Sequence, residues 1–439
     1  VKAEVVIVGA GIAGVSAAYH LAVRHGVHDV VLCDPRPPLS LTSDKSTECF
    51  RNWWPQPAMV ALVDRSIDLL EELHVPLTRR GYVYFTASDD HLDQFERRAH
   101  DVSRAGAGRL RLHGPLSTTP PCEAAREWGR VQTGADLITD PDLIGRLFPV
   151  ASRYIVGALH VRKAGWLDAQ QLGTRLLDGA RSAGATLVRR SVVGVQRDHH
   201  GVTAVDLDDG DRIETPRVVI AAGPLIEHAV GLIGESLPVY AELHLKLAFK
   251  DHLGVVPRDA PLMIWDDPQE LAWGDDERAA LRSIDPALLE SLPGGAHLRP
   301  EGGPDSPWVL GLWEYKTRVM RPTFPVPVDS MYPEVVLRGL SSMIPALAPY
   351  VDRLPQTFVD GGYYLRTPEN LPIIGPLRTP GAFVLGALSG YGIMASQAAA
   401  ELVALHVTGS QVPDHADAFR LERFDDPAYL SSVVDTGQL

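Results

Sequence analysis

The sequence predicts an α/β protein, α+β overall, with one domain threaded through another. Three observations predict it. The chain opens strand–helix–strand, with a glycine-rich turn after the first strand. Residues 237–350 change character, to alternating strands separated by long Pro- and Gly-rich loops. Strand–helix text then returns with "GAFVLGALSGYGIMASQAAAELVALHVTG". The expected division gives residues 1–80, 151–236 and 351–410 to a discontinuous first domain. Residues 81–150 and 237–350 go to an inserted, mostly antiparallel second domain, and 411–439 to a tail on the surface.

The elements follow in order. "EVVIV" is a run suited to a buried strand, and small residues with apolar positions at period 3.6 continue to about Arg24. "DVVLCD" is the second strand, completing a Rossmann-like βαβ unit. "ALVDRSIDLLEELHV" reads as an amphipathic helix, "GYVYFTAS" as a strand, and "HLDQFERRAHDVSRAG" as a helix ended by Gly106. "GALHVRKAGWLDAQQLGTRLLDGARSAGATLVRRSVVGVQRD" gives a strand, a long helix from Asp168 and another strand. "TPRVVIAAGP" is a buried strand ending in small residues, and a helix lies near "YPEVVLRGLSSMIPAL".

Composition bounds the function. The 439 residues are 45% hydrophobic and 22% charged, with a net charge of -14 and no block of Lys or Arg. That argues against nucleic acid or an anionic membrane as the main partner. No apolar run reaches spanning length. The chain enters a strand at once, which reads as no signal peptide. Cys33, Cys49 and Cys122 make no disulfide framework and no paired metal spacing, so a reducing cytoplasm is the simplest reading.

Three motifs could carry chemistry. In Gly9-Ala10-Gly11-Ile12-Ala13-Gly14, Gly9 allows the tight turn, Gly11 lets backbone approach a pyrophosphate, and Gly14 lets helix and strand pack closely. Asp34 ends the second strand, twenty residues after Gly14, where a carboxylate can bond a ribose hydroxyl. This order points to a dinucleotide without separating NAD from FAD. Ala222 and Gly223 end "VVIAAG", where small residues admit a cofactor or merely pack. Ser389-Gly390-Tyr391-Gly392 opens a small-residue helix whose free N–H groups suit an electron-rich carbonyl edge, or simply form a cap.

Taken together, these motifs, with "GWLDAQQL" and "TPENLPIIGP", resemble the D-amino-acid oxidase superfamily, which includes glycine oxidase, monomeric sarcosine oxidase and dimethylglycine dehydrogenase. The resemblance covers nearly the whole chain. It implies FAD and a two-domain architecture. It also implies oxidation of a C–N bond, usually beside a carboxylate, by hydride transfer to flavin. On that basis Gly9, Gly11, Ala13, Gly14, Asp34, Ser46, Thr47, Val192, Ala222, Gly223, Gly390, Tyr391, Gly392, Ile393 and Met394 are expected at the cofactor.

The same resemblance aligns Arg51, in "STECFRNWWP", with the residue that holds the substrate carboxylate in sarcosine oxidase. A guanidinium presents a planar fork to a carboxylate, with Trp53 or Trp54 as an apolar wall; the alternative is an Arg stacked on Trp as local glue. Met394 stands where sarcosine oxidase has a second carboxylate-binding cation, leaving Arg366 or Tyr364 as substitutes. Gly362 stands where that enzyme tethers its flavin through cysteine. Cys49 lies close to the tethering histidine of dimethylglycine dehydrogenase, although a small buried cysteine is the simpler reading. The lysine that activates oxygen aligns approximately with Val309, leaving Lys246 and Lys316 as candidates. His244 is a candidate base because its strand could border the pocket.

The expected function is oxidation of an amino acid or N-methyl amino acid, with oxygen or another electron acceptor. Two rivals use the same fold. A 2-hydroxy-acid dehydrogenase would need a base for the hydroxyl proton, and none is evident. A flavin-carrying subunit would pass electrons to a partner.

Overall fold

The structure, a computed structural model, describes residues 2–121 and 133–432. Cys122 and residues 433–439 of the expected tail lie outside the described residues.

Four sheets organise the chain. The first has six strands in the order Thr186–Val188, Val30–Cys33, Val5–Val8, Val218–Ile220, Ala382–Gly386 and Ile373–Pro376. All neighbours run parallel except the last pair. The central strand Val5–Val8 is buried throughout, as parallel strands covered on both faces must be. One face carries the helix Ile12–Tyr19, which packs against the helices Ala169–Ser182 and Gly392–Thr408. Asp168 caps the first of these, accepting from Gln171 N at 2.7 Å, and Gly409 ends the second in a left-handed conformation at φ 68°. After Tyr19 the expected helix continues only as a wider turn over His20–Arg24.

The second sheet has nine strands. Their order is Thr357–Arg366, Tyr240–Lys250, Trp308–Leu312, Ala296–Glu301, Leu262–Trp265, Tyr82–Thr86, Gly157–Val161, Ala135–Ile138 and Leu110–His113. It is mostly antiparallel, as expected, with two parallel neighbours, Leu262–Trp265 on Tyr82–Thr86 and Leu110–His113 on Ala135–Ile138. Two smaller sheets flank these, Val192–Asp198 with Gly201–Leu207 and Arg212–Glu214, and Cys49–Arg51 with Ala164–Leu167 and Leu77–Thr78.

Sheet membership departs from the sequence-based boundaries in two places. Gly157–Val161 and Thr357–Arg366 were expected in the first domain, yet both pair within the nine-stranded sheet. Strand pairing, which local text does not encode, decides this: Thr357–Arg366 lies against Tyr240–Lys250 over ten residue pairs, from Phe249↔Thr357 to Tyr240↔Arg366. The described part of the expected tail is anchored. Phe419 and Leu421 are buried, and Arg423 donates to Glu369 at 2.7 Å.

The glycine turn shows how tightly the first sheet is assembled. A Cβ on Gly14 would fall 1.9 Å from the Gly9 carbonyl oxygen. In a helix, Gly→Ala normally gains roughly 0.5–1 kcal/mol. Here overlap with rigid backbone costs more than that gain, since overpacking typically costs about 1–3 kcal/mol. We expect Gly14→Ala to lower the midpoint of chemical denaturation; a raised midpoint would contradict the packing.

Candidate active site

A cleft opens between the carboxyl ends of the parallel strands and the face of Tyr240–Lys250 and Thr357–Arg366. Its empty space, open mouth included, is about 1650 Å³. At one end lie Gly9, Gly11, Asp34, Ala222 and Gly223, and at the other His244, Lys246, Gly362, Tyr364 and Gly390. A crevice at the carboxyl ends of parallel strands is where such sheets bind ligands.

The first end is built by close backbone approach. Gly9 has φ +107°, and a Cβ there would stand 2.5 Å from the Ala221 carbonyl oxygen. The turn therefore packs directly on the chain leaving Val218–Ile220, which is why both stretches need small residues. Asp34 is fixed by two backbone donors, Ala10 N to Oδ2 and Arg36 N to Oδ1, each at 2.9 Å. Ser43 Oγ accepts from Ile12 N at 3.0 Å, so a loop hydroxyl meets the helix N-terminus. Ala13, Val192, Gly392 and Ile393 also line the cleft.

The middle of the cleft is walled by a pinned loop. Ser46 and Thr47 both line it. Lys246 Nζ donates to the Ser46 carbonyl at 2.9 Å, and Arg299 donates to the Thr47 carbonyl through Nε at 3.1 Å and Nη2 at 2.9 Å. Burial pushes the Lys246 proton affinity down, against the opposing pull of Asp360 and Glu48.

At the second end, His244 and Tyr364 stack with ring centroids 3.6 Å apart and planes 17° apart. His244 Nδ1 lies 2.8 Å from Glu314 Oε1, and Nε2 lies 3.2 Å from Glu242 Oε2. Arg366 Nη1 donates to the same Glu242 oxygen at 3.0 Å. Burial alone would lower the His244 pKa, but Glu314 and Glu242 together raise it. Burial, reinforced by Glu314, holds the Tyr364 phenol well above its usual range. Tyr364 lines the cleft, and its hydroxyl makes no hydrogen bond among the described residues. Gly390 leaves room for it: a Cβ there would fall 2.3 Å from the Tyr364 ring.

Several expected site residues are not brought to the cleft. Arg51 does not line it. Its strand, Cys49–Arg51, pairs with Ala164–Leu167 and carries the side chain into an aromatic box. There the guanidinium donates to the Tyr84 hydroxyl and stands 4.9 Å from the Trp54 ring centroid and 5.8 Å from that of Tyr82. This is the stacking alternative raised above. Gly14 lies behind the turn, and Met394 is buried outside the lining residues. Tyr391 is also behind the wall, donating to the Asn370 carbonyl at 2.9 Å. Cys49 Sγ donates to the Thr47 carbonyl at 3.1 Å, its thiol pushed up by burial, and it too lies outside the lining. Lys316 pairs with Asp285 away from the cleft, and Val309 is buried within its strand.

Glu314, Glu242 and Ser43 were not foreseen. Glu242 and His244 alternate along one strand and so share a face, a signal the sequence does hold. Glu314 and Ser43 lie in loops and carry no such signal. For Arg51, we expect Arg51→Ala to destabilise the fold by about 1–3 kcal/mol, because it strips the Tyr84 hydroxyl of its partner in a buried site. Binding of a carboxylate ligand to the cleft should stay unchanged. Loss of that binding at unchanged stability would restore the carboxylate role.

Comparison with known proteins agrees with this fold. L-proline dehydrogenase from P. horikoshii superposes with a TM-score of 0.74 at 20% identity, covering 97% of this chain and 98% of that one. Glycine oxidase from Bacillus cereus gives 0.70 at 16%, covering 95% and 98%. Iminodiacetate oxidase from Chelativorans sp. BNC1 gives 0.68 at 21%, covering 95% and 98%. At these identities the likeness is one of fold. Mitochondrial dimethylglycine dehydrogenase of Mus musculus is 26% identical over 253 residues, which are 55% of this chain but only 26% of that enzyme. Residues 4–405 match the family model described as DAO, FAD dependent oxidoreductase. With nearly its whole length matched, the chain belongs to the DAO family of FAD-dependent oxidoreductases.

Proposed function

We propose that this chain oxidises the C–N bond of an amino acid or N-methyl amino acid. The observation that carries the reading is Tyr364, which lines the cleft and whose hydroxyl has no hydrogen-bond partner among the described residues. The residues present fit FAD. Gly9 and Gly11 offer backbone with no Cβ, Asp34 is fixed at the same end, and the cleft runs unbroken to Tyr364. When bound, FAD supplies the two-electron acceptor. The tether position is Gly362 and Cys49 stands outside the cleft, which supports non-covalent binding.

The protein's own share is to orient substrate and exclude a competing proton transfer. Tyr364 can donate to a carboxylate, and its raised pKa keeps it protonated at neutral pH. A neutral amine needs no base, whereas a hydroxyl does. His244 has both ring nitrogens facing carboxylates, which leaves neither free to accept a substrate proton. This favours an amine over a 2-hydroxy acid. The names of the fold relatives, which act on proline, glycine and iminodiacetate, are consistent with that class.

The electron acceptor follows from charge. Oxygen becomes an anion on taking an electron, and a fixed cation in a dry cleft favours it. The position aligned with the oxygen-activating lysine is Val309, but Lys45 and Lys246 both line the cleft; Lys45 pairs with Asp44 and Asp360, whereas Lys246 meets the Ser46 carbonyl of the pinned loop. We read Lys246 as the group that would assist oxygen.

Two experiments test these statements. Mixed without air with a panel of amino acids, N-methyl amino acids and 2-hydroxy acids, the yellow protein should bleach with a member of the first two groups. Tyr364→Phe should weaken carboxylate binding by about 0.5–1.5 kcal/mol, a typical net hydrogen bond, and acid should release the colour from the polypeptide. Bleaching by 2-hydroxy acids alone would overturn the reading. Separately, Lys246→Met should slow reoxidation of the bleached protein in oxygenated buffer; an unchanged rate removes Lys246 from that role.

A further inference from the structure

The second end of the cleft holds a charge cluster built around His244. His244 stands between Glu314, 2.8 Å from Nδ1, and Glu242, 3.2 Å from Nε2. Nε2 hydrogen-bonds Glu242, whereas Nδ1 and Glu314 meet as an ion pair by distance without hydrogen-bond geometry, so Glu314 acts on the ring by charge. Two carboxylates this close favour the cationic ring over the neutral one. The charges agree. Glu314 and Glu242 contribute two negative charges and Arg366, 3.0 Å from Glu242, one positive. A charged His244 is thus flanked by two anions, which offset the cost of keeping it charged in a mostly buried place.

We propose that Glu314 is a positioning residue which, with Glu242, holds His244 as a histidinium, and that this cation fixes Tyr364 over the cleft. The argument rests on the reading of Tyr364 as the substrate contact. A cation stacked on an aromatic face is attracted by the ring's quadrupole. Here the ring centroids lie 3.6 Å apart, and Gly390 packs so close that a Cβ there would fall 2.3 Å from the Tyr364 ring. The imidazole and the Gly390 backbone thus hold the phenol at the cleft wall. Glu314 reaches in from the chain beyond Trp308–Leu312 and links the clamp to a third strand.

The groups facing His244 are Glu242 and Lys246 on its own strand, Tyr364 and Arg366 on the neighbouring strand, and Glu314 beyond the next. Lys246 is turned to the Ser46 carbonyl. With its pKa raised, His244 contributes stability that is full below the ordinary histidine range and fades as pH rises through the raised value.

The test is imidazole ¹⁵N NMR of the FAD-loaded protein, with His244→Gln identifying the resonance among the 16 histidines. In the parent, His244 should show both nitrogens protonated from pH 6 to pH 8. In Glu314→Gln the same resonance should lose its proton nearer pH 7. Acetate affinity, read from the flavin absorbance, should be flat with pH in the parent over that range. In the variant it should fall several-fold as pH rises from 6 to 8. If Glu314→Gln does not fold, Glu242→Gln is read the same way. A neutral His244 in the parent at pH 7 overturns the proposal, as does a variant whose resonance titrates like the parent's. The NMR reading does not depend on turnover, so failure to oxidise amino acids would sink the proposed function and leave this result standing.

Discussion

The close approach of backbone at Gly9 is the constraint on which the rest depends. The turn leaves Val5–Val8, folds against its own helix at Gly14 and lies on the chain leaving Val218–Ile220 at Ala221. Three segments far apart in sequence meet there through atoms that tolerate no added methyl group. Because that junction is tight, the strand ends stay level and the cleft begins at a fixed depth. The second sheet then needs only to present a face across the gap. It does so with its two longest strands, Tyr240–Lys250 and Thr357–Arg366.

The loop between the two sheets would be mobile without help, since loops carry few apolar contacts of their own. Two cations, the buried Arg299 and the half-buried Lys246, replace that missing packing. Arg299 is 2% exposed and directs three of its bonds to the Thr47 carbonyl and the acids Glu48 and Glu301. It also stands 5.2 Å from the Trp166 ring centroid. Removing an arginine from water is costly, and the cost is offset only where its donors are met, as they are here. The loop therefore belongs to the second domain energetically, although it follows the first βαβ unit in sequence.

The legible part of this protein was what short-range pattern encodes. The βαβ unit, the glycine spacing, Asp34 and the small-residue helix after Ser389 all state their structure within a few residues, because backbone geometry demands particular side chains there. The site's polar end was legible only in part. His244 and Tyr364 could be suspected, but their partners arrive from other strands. Arg51 illustrates the limit. Its resemblance-based role needed a side chain pointing to the cleft, and strand pairing with Ala164–Leu167 turned it instead into the box of Trp54, Tyr82 and Tyr84. The same ignorance of pairing misplaced Gly157–Val161 and Thr357–Arg366.

The two ends of the cleft solve opposite electrostatic problems. At the glycine end, positive character comes from backbone N–H groups, which cost nothing to desolvate further once they are at a helix start. At the Tyr364 end the helix Gly392–Thr408 starts beside Gly390, and full charges come from side chains. An isolated buried cation would lose its proton or draw in water. Flanking it with two carboxylates, one of them shared with Arg366, keeps a charge in place. Opposite charges this close largely offset one another at a distance, so the cation acts chiefly on the Tyr364 ring stacked on it. That short range suits a site which must orient one end of a small substrate.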